Sequence, residues 1–232
     1  MKPRLSNQTN RAFTLGELLV VLVVSALAAA VILSVNQPPH NTVARRVACL
    51  NNLKQIGFAC HVWSSDNHGK WPMEVSMTNG GTMELAIAGN ALATFQVMSN
   101  ELSTPKVLHC PADQEHDWAT QFDSTFSVSN ISYFVGLNAG ESFPQSILSG
   151  DTHLQLGGIP VKPGLSTFTT NSDLAWTPAR HEVMVEHFLM LNSYKYYGNI
   201  GFADGSAATL DTPALQKAFQ QSGTNTTRLA IP

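Results

Sequence analysis

Two histidines, His181 and His187, bracket Glu182 and Glu186 in the run HEVMVEH. A zinc protease needs its two histidines four residues apart on one helix face, so that both reach a single metal. Here the spacing is six, which on a strand gives a shared face but a separation of roughly 20 Å. These are expected to be ordinary strand histidines. Cys60-His61 and His109-Cys110 each join two metal-ligating types, but adjacent side chains point in different directions, and no metal site is expected from them. Asp204 opens an Asp-Gly turn and Asp211 follows it. Calcium is the cation such oxygens would suit, but it takes six to eight of them. Turn chemistry accounts for Asp204 without an ion. The phosphate-loop, dinucleotide and CxxC signatures are absent, and no GxSxG elbow is present. No catalytic group and no cofactor follow, and enzymatic activity is not expected.

The three cysteines bear on cross-linking. Cys49 and Cys60 fall on one predicted helix, separated by roughly 16 Å of rise. A disulfide needs Cα atoms within about 7 Å, so these two cannot bridge. Cys110 can pair with Cys49 or with Cys60, and both remain open. Trp63, Trp71, Trp118 and Trp176 have two readings. An exposed row would stack on glycans, whereas buried rings would be core.

Glu17 is the one carboxylate in an apolar run from Phe13 to Val35. That run, 23 residues long, makes roughly 35 Å of helix, enough to cross a hydrocarbon core of about 30 Å. A secretory signal has a shorter apolar stretch. Residues 1–12 carry Lys2, Arg4 and Arg11 and no acid, so the leader is expected to stay in the cytoplasm and the bulk of the chain to be exported. Composition fits neither a disordered tail nor a nucleic-acid binder: of 232 residues 44% are hydrophobic and 12% charged, with a formal charge of −3. A nucleic-acid partner would normally call for a basic surface.

The segment Arg11-Ala12-Phe13-Thr14-Leu15-Gly16-Glu17-Leu18-Leu19 resembles the N-terminal signal of type IV prepilins and type II secretion pseudopilins. The resemblance implies that prepilin peptidase cuts between Ala12 and Phe13 and methylates the Phe13 amine. It also implies that Glu17 neutralises the amine of a neighbouring subunit during filament assembly. Opposite charges attract strongly in such a low-dielectric bundle, and burying either alone is costly. Ala12 stands where the family usually has Gly, and Gly16 where a larger apolar residue is common. Further motifs resemble pseudopilin-like proteins of planctomycetes and verrucomicrobia: Cys49–Gly57 (CLNNLKQIG), Asp66–Pro72 (DNHGKWP), Leu108–Asp113 (LHCPAD), Ser132–Phe134 (SYF), Gly201–Ser206 (GFADGS) and Asn225–Pro232 (NTTRLAIP). Many members carry a His ten residues before the Asp of the FADG turn, where this chain has Tyr194. The implied partners are prepilin peptidase, other pilin or pseudopilin subunits and the inner membrane. The implied topology is single-pass, with the N-terminus cytoplasmic and the head extracytoplasmic.

The elements that must carry these residues follow from periodicity. Pro38-Pro39 predicts a kink. Val43, Val47, Leu50, Leu53, Ile56 and Cys60 predict an amphipathic helix with one buried stripe. The expected organisation is a leader at 1–12, a transmembrane helix at 13–36, an amphipathic helix at 37–64 and an exported head at 65–232. Within the head, a helix is expected over 82–98 and strands over 105–109, 131–137 and 182–191. A hairpin is expected around Asp204-Gly205, and a loop at Gly157-Gly158 through Gly164. A helix is expected over 213–222, started by Thr212 and stopped by Gly223. The fold class expected is α+β: a long N-terminal helix packed on a small antiparallel sheet, as in pilins. A structural filament subunit is the first functional expectation. A filament-presented module that binds a polysaccharide or secreted substrate is the alternative.

Overall fold

The computed structural model describes residues 14–35, 38–178, 180–185 and 193–232. The chain divides into two units, Met1–Asn41 and Thr42–Pro232. The first contains helix α1 (Leu15–Val35), whose described side chains are exposed from Leu15 to Ala29. Among the described residues, no helix is long and apolar enough to cross a membrane.

Helix α2 (Pro38–Asp66) starts on its proline pair, at positions where the missing N–H costs no hydrogen bond. The kink expected there adjoins residues 36 and 37, which lie outside the described residues. From Cys49 onward α2 buries Cys49, Leu53, Ile56, Cys60 and Trp63, at alternating steps of four and three residues that keep one face toward the sheet. Val43 and Val47, expected at the head of that stripe, are exposed instead.

The helix expected over 82–98 is divided. Helix α3 (Met83–Ile87) ends before Gly89, α4 (Ala91–Val97) restarts after it, and α5 (Ser99–Leu102) follows. Gly89 takes φ +86° and its backbone lies so close to Gly164 and Leu165 that a Cβ would collide with them. A positive φ does not continue a right-handed helix, so the run breaks here, and the collision restricts the position to glycine. Pro105–Leu108, expected as a strand, is a 3₁₀ turn capped by the Thr104 hydroxyl.

The main sheet is antiparallel throughout. Its strands are β1 (Tyr133–Gly136), β2 (Ile147–Asp151), β5 (Gly164–Thr169), β7 (His181–Val185), β8 (Ser193–Phe202), β9 (Ala207–Asp211) and β10 (Thr226–Ile231). The order is β5-β10-β1-β2-β8-β7, with β9 also pairing β8. A small second sheet joins β3 (Leu154–Leu156), β4 (Ile159–Pro160) and β6 (Leu174–Trp176). Within the segment expected as a loop, Gly157-Gly158 form the turn of the β3–β4 hairpin, both with positive φ, and Ile159–Pro160 pairs as a short strand.

Helix α6 (Thr212–Gln221) begins one residue before the expected span. Its N-cap is Asp211 rather than Thr212, because the Asp211 carboxylate accepts the Ala214 amide at 3.0 Å.

At its centre, along β1 and β2, the sheet is buried on both faces. Along β1, Tyr133 and Val135 join the core under α2, while Phe134 between them joins a second core with Trp176, Ile200, Leu215 and Phe219. Strand alternation thus feeds two cores from one strand. The result is the α+β arrangement of a long helix packed on an antiparallel sheet, as in pilins.

Candidate functional site

Of the processing residues, Ala12 and Phe13 lie outside the described residues. Glu17 is described, at the first turn of α1. Its Oε2 accepts the Thr14 amide at 2.9 Å and the Thr14 hydroxyl at 2.9 Å, and the Glu17 amide donates to Thr14 Oγ1 at 3.3 Å. This is a reciprocal capping box, which satisfies donors left open at a helix start. The Thr-x-x-Glu spacing is the sequence signature of such a box, which the expectations for Glu17 did not include.

Among the contacts that tie α2 to the head, three join the sequence motifs. Cys49 is disulfide-bonded to Cys110, across 61 residues of sequence. Asn52 Nδ2 donates to the His109 carbonyl at 2.9 Å and to Tyr133 Oη at 3.3 Å. Gly57 packs on Gly205 in the β8–β9 turn. The helix residues CLNNLKQIG thus meet the LHCPAD, SYF and GFADGS segments in space.

Residues 42–89 match a family model described as a protein of unknown function (DUF1559). The DUF1559 match covers α2 from Thr42 through the turn after α3, and so includes the helix side of all three contacts. No curated protein and no solved structure matches the chain.

Helix α2 leads by its disulfide into a buried ionic cluster. Arg180 Nη2 lies 2.6 Å from Asp113 Oδ2, with both side chains almost fully buried. Arg180 also donates to the Ser132 carbonyl and to Thr152 Oγ1, each at 2.8 Å. His116 Nδ1 lies 2.7 Å from the same Asp113 oxygen. Burial by itself would raise the Asp113 pKa. The hydrogen bond from His116, the Arg180 charge and the Ser132 and Glu115 donors outweigh it, and hold the carboxyl well below the usual range.

Next to it, Asp151 Oδ2 accepts the Asn199 amide at 2.7 Å and Asn199 Nδ2 at 3.1 Å, and lies 3.3 Å from His181 Nε2. Burial again pushes this carboxyl up, but the His181 hydrogen bond and the neighbouring positive charges bring it below its ordinary value. His181 Nε2 is also 3.2 Å from Asn199 Nδ2 and 3.7 Å from Cys110 Sγ. Asn199 Oδ1 accepts the Thr209 hydroxyl at 2.6 Å, which fixes the orientation of the amide. His153 donates Nε2 to the Tyr197 carbonyl at 3.0 Å and stacks on Trp176. Burial pushes its pKa down to about 4.

Metal-ligating atoms gather in two places, Cys49–Cys110–His181 and Asp113–Glu115–His116. In the first, both sulfurs are committed to the disulfide. In the second, the Arg180 guanidinium already stands where a cation would sit. The two acids considered for calcium are engaged in local structure. Asp204 accepts the Ser206 amide at 2.8 Å and Gln145 Nε2 at 3.1 Å, and Asp211 caps α6. His187 lies outside the described residues. Cys60 is a free, buried thiol against Met98 Sδ, and burial pushes its pKa up to about 12.

Trp63, Trp71 and Trp176 are buried, and Trp118 is exposed with one face on His109. One ring is not the row that glycan stacking would use. The sequence reading missed Arg180, Asp113 and Asn199 as a group, since their partners lie far away in the chain. A disulfide of this kind persists outside the reducing cytoplasm, in keeping with an extracytoplasmic head.

Proposed function

We propose that the chain is a prepilin-like structural subunit of a type II secretion or type IV pilus-like filament. The observation that carries this reading is the long helix α2, bonded covalently through Cys49 to an antiparallel head, downstream of the leader and apolar run that end and follow Ala12. In this reading the leader is removed between Ala12 and Phe13 and Phe13 is N-methylated. The apolar run anchors the subunit in the inner membrane with the head outside. Glu17 leaves its Thr14 cap to meet the amine of a neighbouring subunit. The capping contacts support this exchange, because they keep the carboxylate satisfied while the subunit is alone.

The test is the N-terminal peptide of membrane-extracted protein from cells with and without prepilin peptidase. A methylated N-terminus at Phe13 that depends on the peptidase is expected. An N-terminus at Met1, or a cut independent of that enzyme, would overturn the reading.

A further inference from the structure

Cys110 Sγ, bonded to Cys49, lies 3.7 Å from His181 Nε2, and the same nitrogen lies 3.3 Å from Asp151 Oδ2. The two sulfurs and His181 Nε2 all fall within 4.8 Å of one another. Cys49, Cys110, Asp151 and His181 are buried. Asp151 Oδ2 is held by the Asn199 amide and by Asn199 Nδ2. Asp151 Oδ1 is buried and has no hydrogen-bond partner among the described residues. A disulfide needs neither an imidazole nor a carboxylate beside it. Tetrahedral zinc takes sulfur at about 2.3 Å and nitrogen or oxygen at about 2.0–2.2 Å, which sets neighbouring S–N and N–O ligand atoms about 3.3–3.6 Å apart. The Cys110–His181 and His181–Asp151 separations match that spacing closely.

We infer that the chain, before its disulfide forms, binds one zinc ion through Cys49, Cys110, His181 and Asp151. Each thiol gives its proton to solvent, and rotation about each Cα–Cβ bond parts the sulfurs around the ion. His181 Nε2 supplies the third ligand and the Asp151 carboxylate the fourth. Asn199 orients that carboxylate, as outer-shell groups do in zinc sites. Two thiolates and an imidazole in a tetrahedron select zinc over magnesium or calcium. Arg180, whose charge reaches Asp151, is itself paired with Asp113 at 2.6 Å, so its opposition to a cation is largely offset. The ion needs no channel, because binding is coupled to folding of the reduced chain. Metal and disulfide exclude each other, since each uses both sulfurs, and binding moves no electrons. The ion thus holds Cys49 and Cys110 together ahead of the disulfide and leaves Cys60, against Met98 Sδ, outside the pair. This site stands whether or not the chain joins a filament.

The experiment refolds the untagged full chain in detergent from denaturant, with a phosphine reductant or with oxidised glutathione, in the presence of zinc. After free metal is removed, the reduced chain is expected to retain one zinc ion and the disulfide form none. Zinc is expected to raise the urea midpoint of the reduced chain and to leave that of the disulfide form unchanged, because the ion binds the folded state. Cobalt(II) in its place is expected to give the intense absorption of a tetrahedral ion bound to thiolate. Cys60→Ala is expected to keep the ion. His181→Gln and Asp151→Asn are expected to weaken it roughly tenfold or more, since losing even an outer-shell partner costs that much. A reduced chain that refolds without zinc, or a cobalt spectrum lacking tetrahedral thiolate absorption, would overturn the proposal, and neither reading depends on a variant. So would zinc that is lost with Cys60→Ala, which would place it at Cys60-His61, or zinc that leaves the urea midpoint of the reduced chain unmoved.

Discussion

Gly57 on α2 lies against Gly205 in the β8–β9 turn, so close that a Cβ on Gly57 would sit 3.3 Å from the Gly205 Cα. Gly205 has φ +79° and needs its glycine for the turn, so the space must be left by Gly57. Replacing Gly57 by Ala gains about 0.5–1 kcal/mol of helix propensity and gives up a similar amount in contact strain, leaving stability nearly unchanged. Gly57→Leu is expected to destabilise the head by about 1–3 kcal/mol through overpacking. Urea titration of the two variants checks this, with Gly57→Ala near the parent midpoint and Gly57→Leu well below it.

The Cys49–Cys110 bond closes a loop of 61 residues, for which loop entropy gives about 4 kcal/mol of stabilisation. Reduction is therefore expected to lower the denaturation midpoint of the parent. The double variant Cys49→Ala, Cys110→Ala is expected to start at the lower value and not respond to reductant.

Burial pushes the Cys60 thiol up to about 12, so almost none of it is thiolate at neutral pH. Iodoacetamide should leave it unlabelled in the native head and label it quantitatively in urea.

Acid sensitivity has two windows. His153 is depressed to about 4 in the folded head, against about 6.5 when unfolded. The unfolded chain thus binds the proton first, and stability is complete above the unfolded value and falls as pH drops from about 6.5 to about 4. The loss is on the order of 3 kcal/mol for the His153 shift. The depressed carboxyls Asp113 and Asp151 hold their contribution until pH falls below about 3.9, the unfolded value. Urea midpoints from pH 8 to 3 are expected to show both declines, with His153→Gln removing the upper one.

Arg180 and Asp113 form a buried pair, and removing one partner leaves the other charge uncompensated. Arg180→Met is expected to cost about 3–5 kcal/mol. The double variant with Asp113→Asn is expected to cost much less than the two single effects added, and a double-mutant cycle measures the difference.

The fold class was legible because α2 is long and periodic and the Asp-Gly hairpin is a strong local signal. The buried stripe of α2 departs from the expected one at Val43 and Val47. Leu50, Leu53 and Ile56 are joined by steps of three, each about 60° short of a full turn. A stripe extended through them back to Val43 therefore wraps around the helix and takes in solvent-facing positions. Strand β2 is not legible in the sequence, since a strand buried on both faces shows no polar–apolar alternation. The disulfide partner could not be read from spacing alone, and the ionic cluster depends on contacts such as Asp113–Arg180 and Asp151–Asn199 that only the sheet order creates.

Strand β10 lies between β1 and β5, although it comes after every other strand in the chain. A polypeptide emerging N-terminus first, from a ribosome or a translocon, can pair β1 with β2 and β2 with β8 as they appear. Strand β5 has no other neighbour in the main sheet and must wait for residues 226–231. The main sheet is thus completed only when β10 arrives to join β5 to β1, whatever pairing among β1, β2 and β8 precedes it.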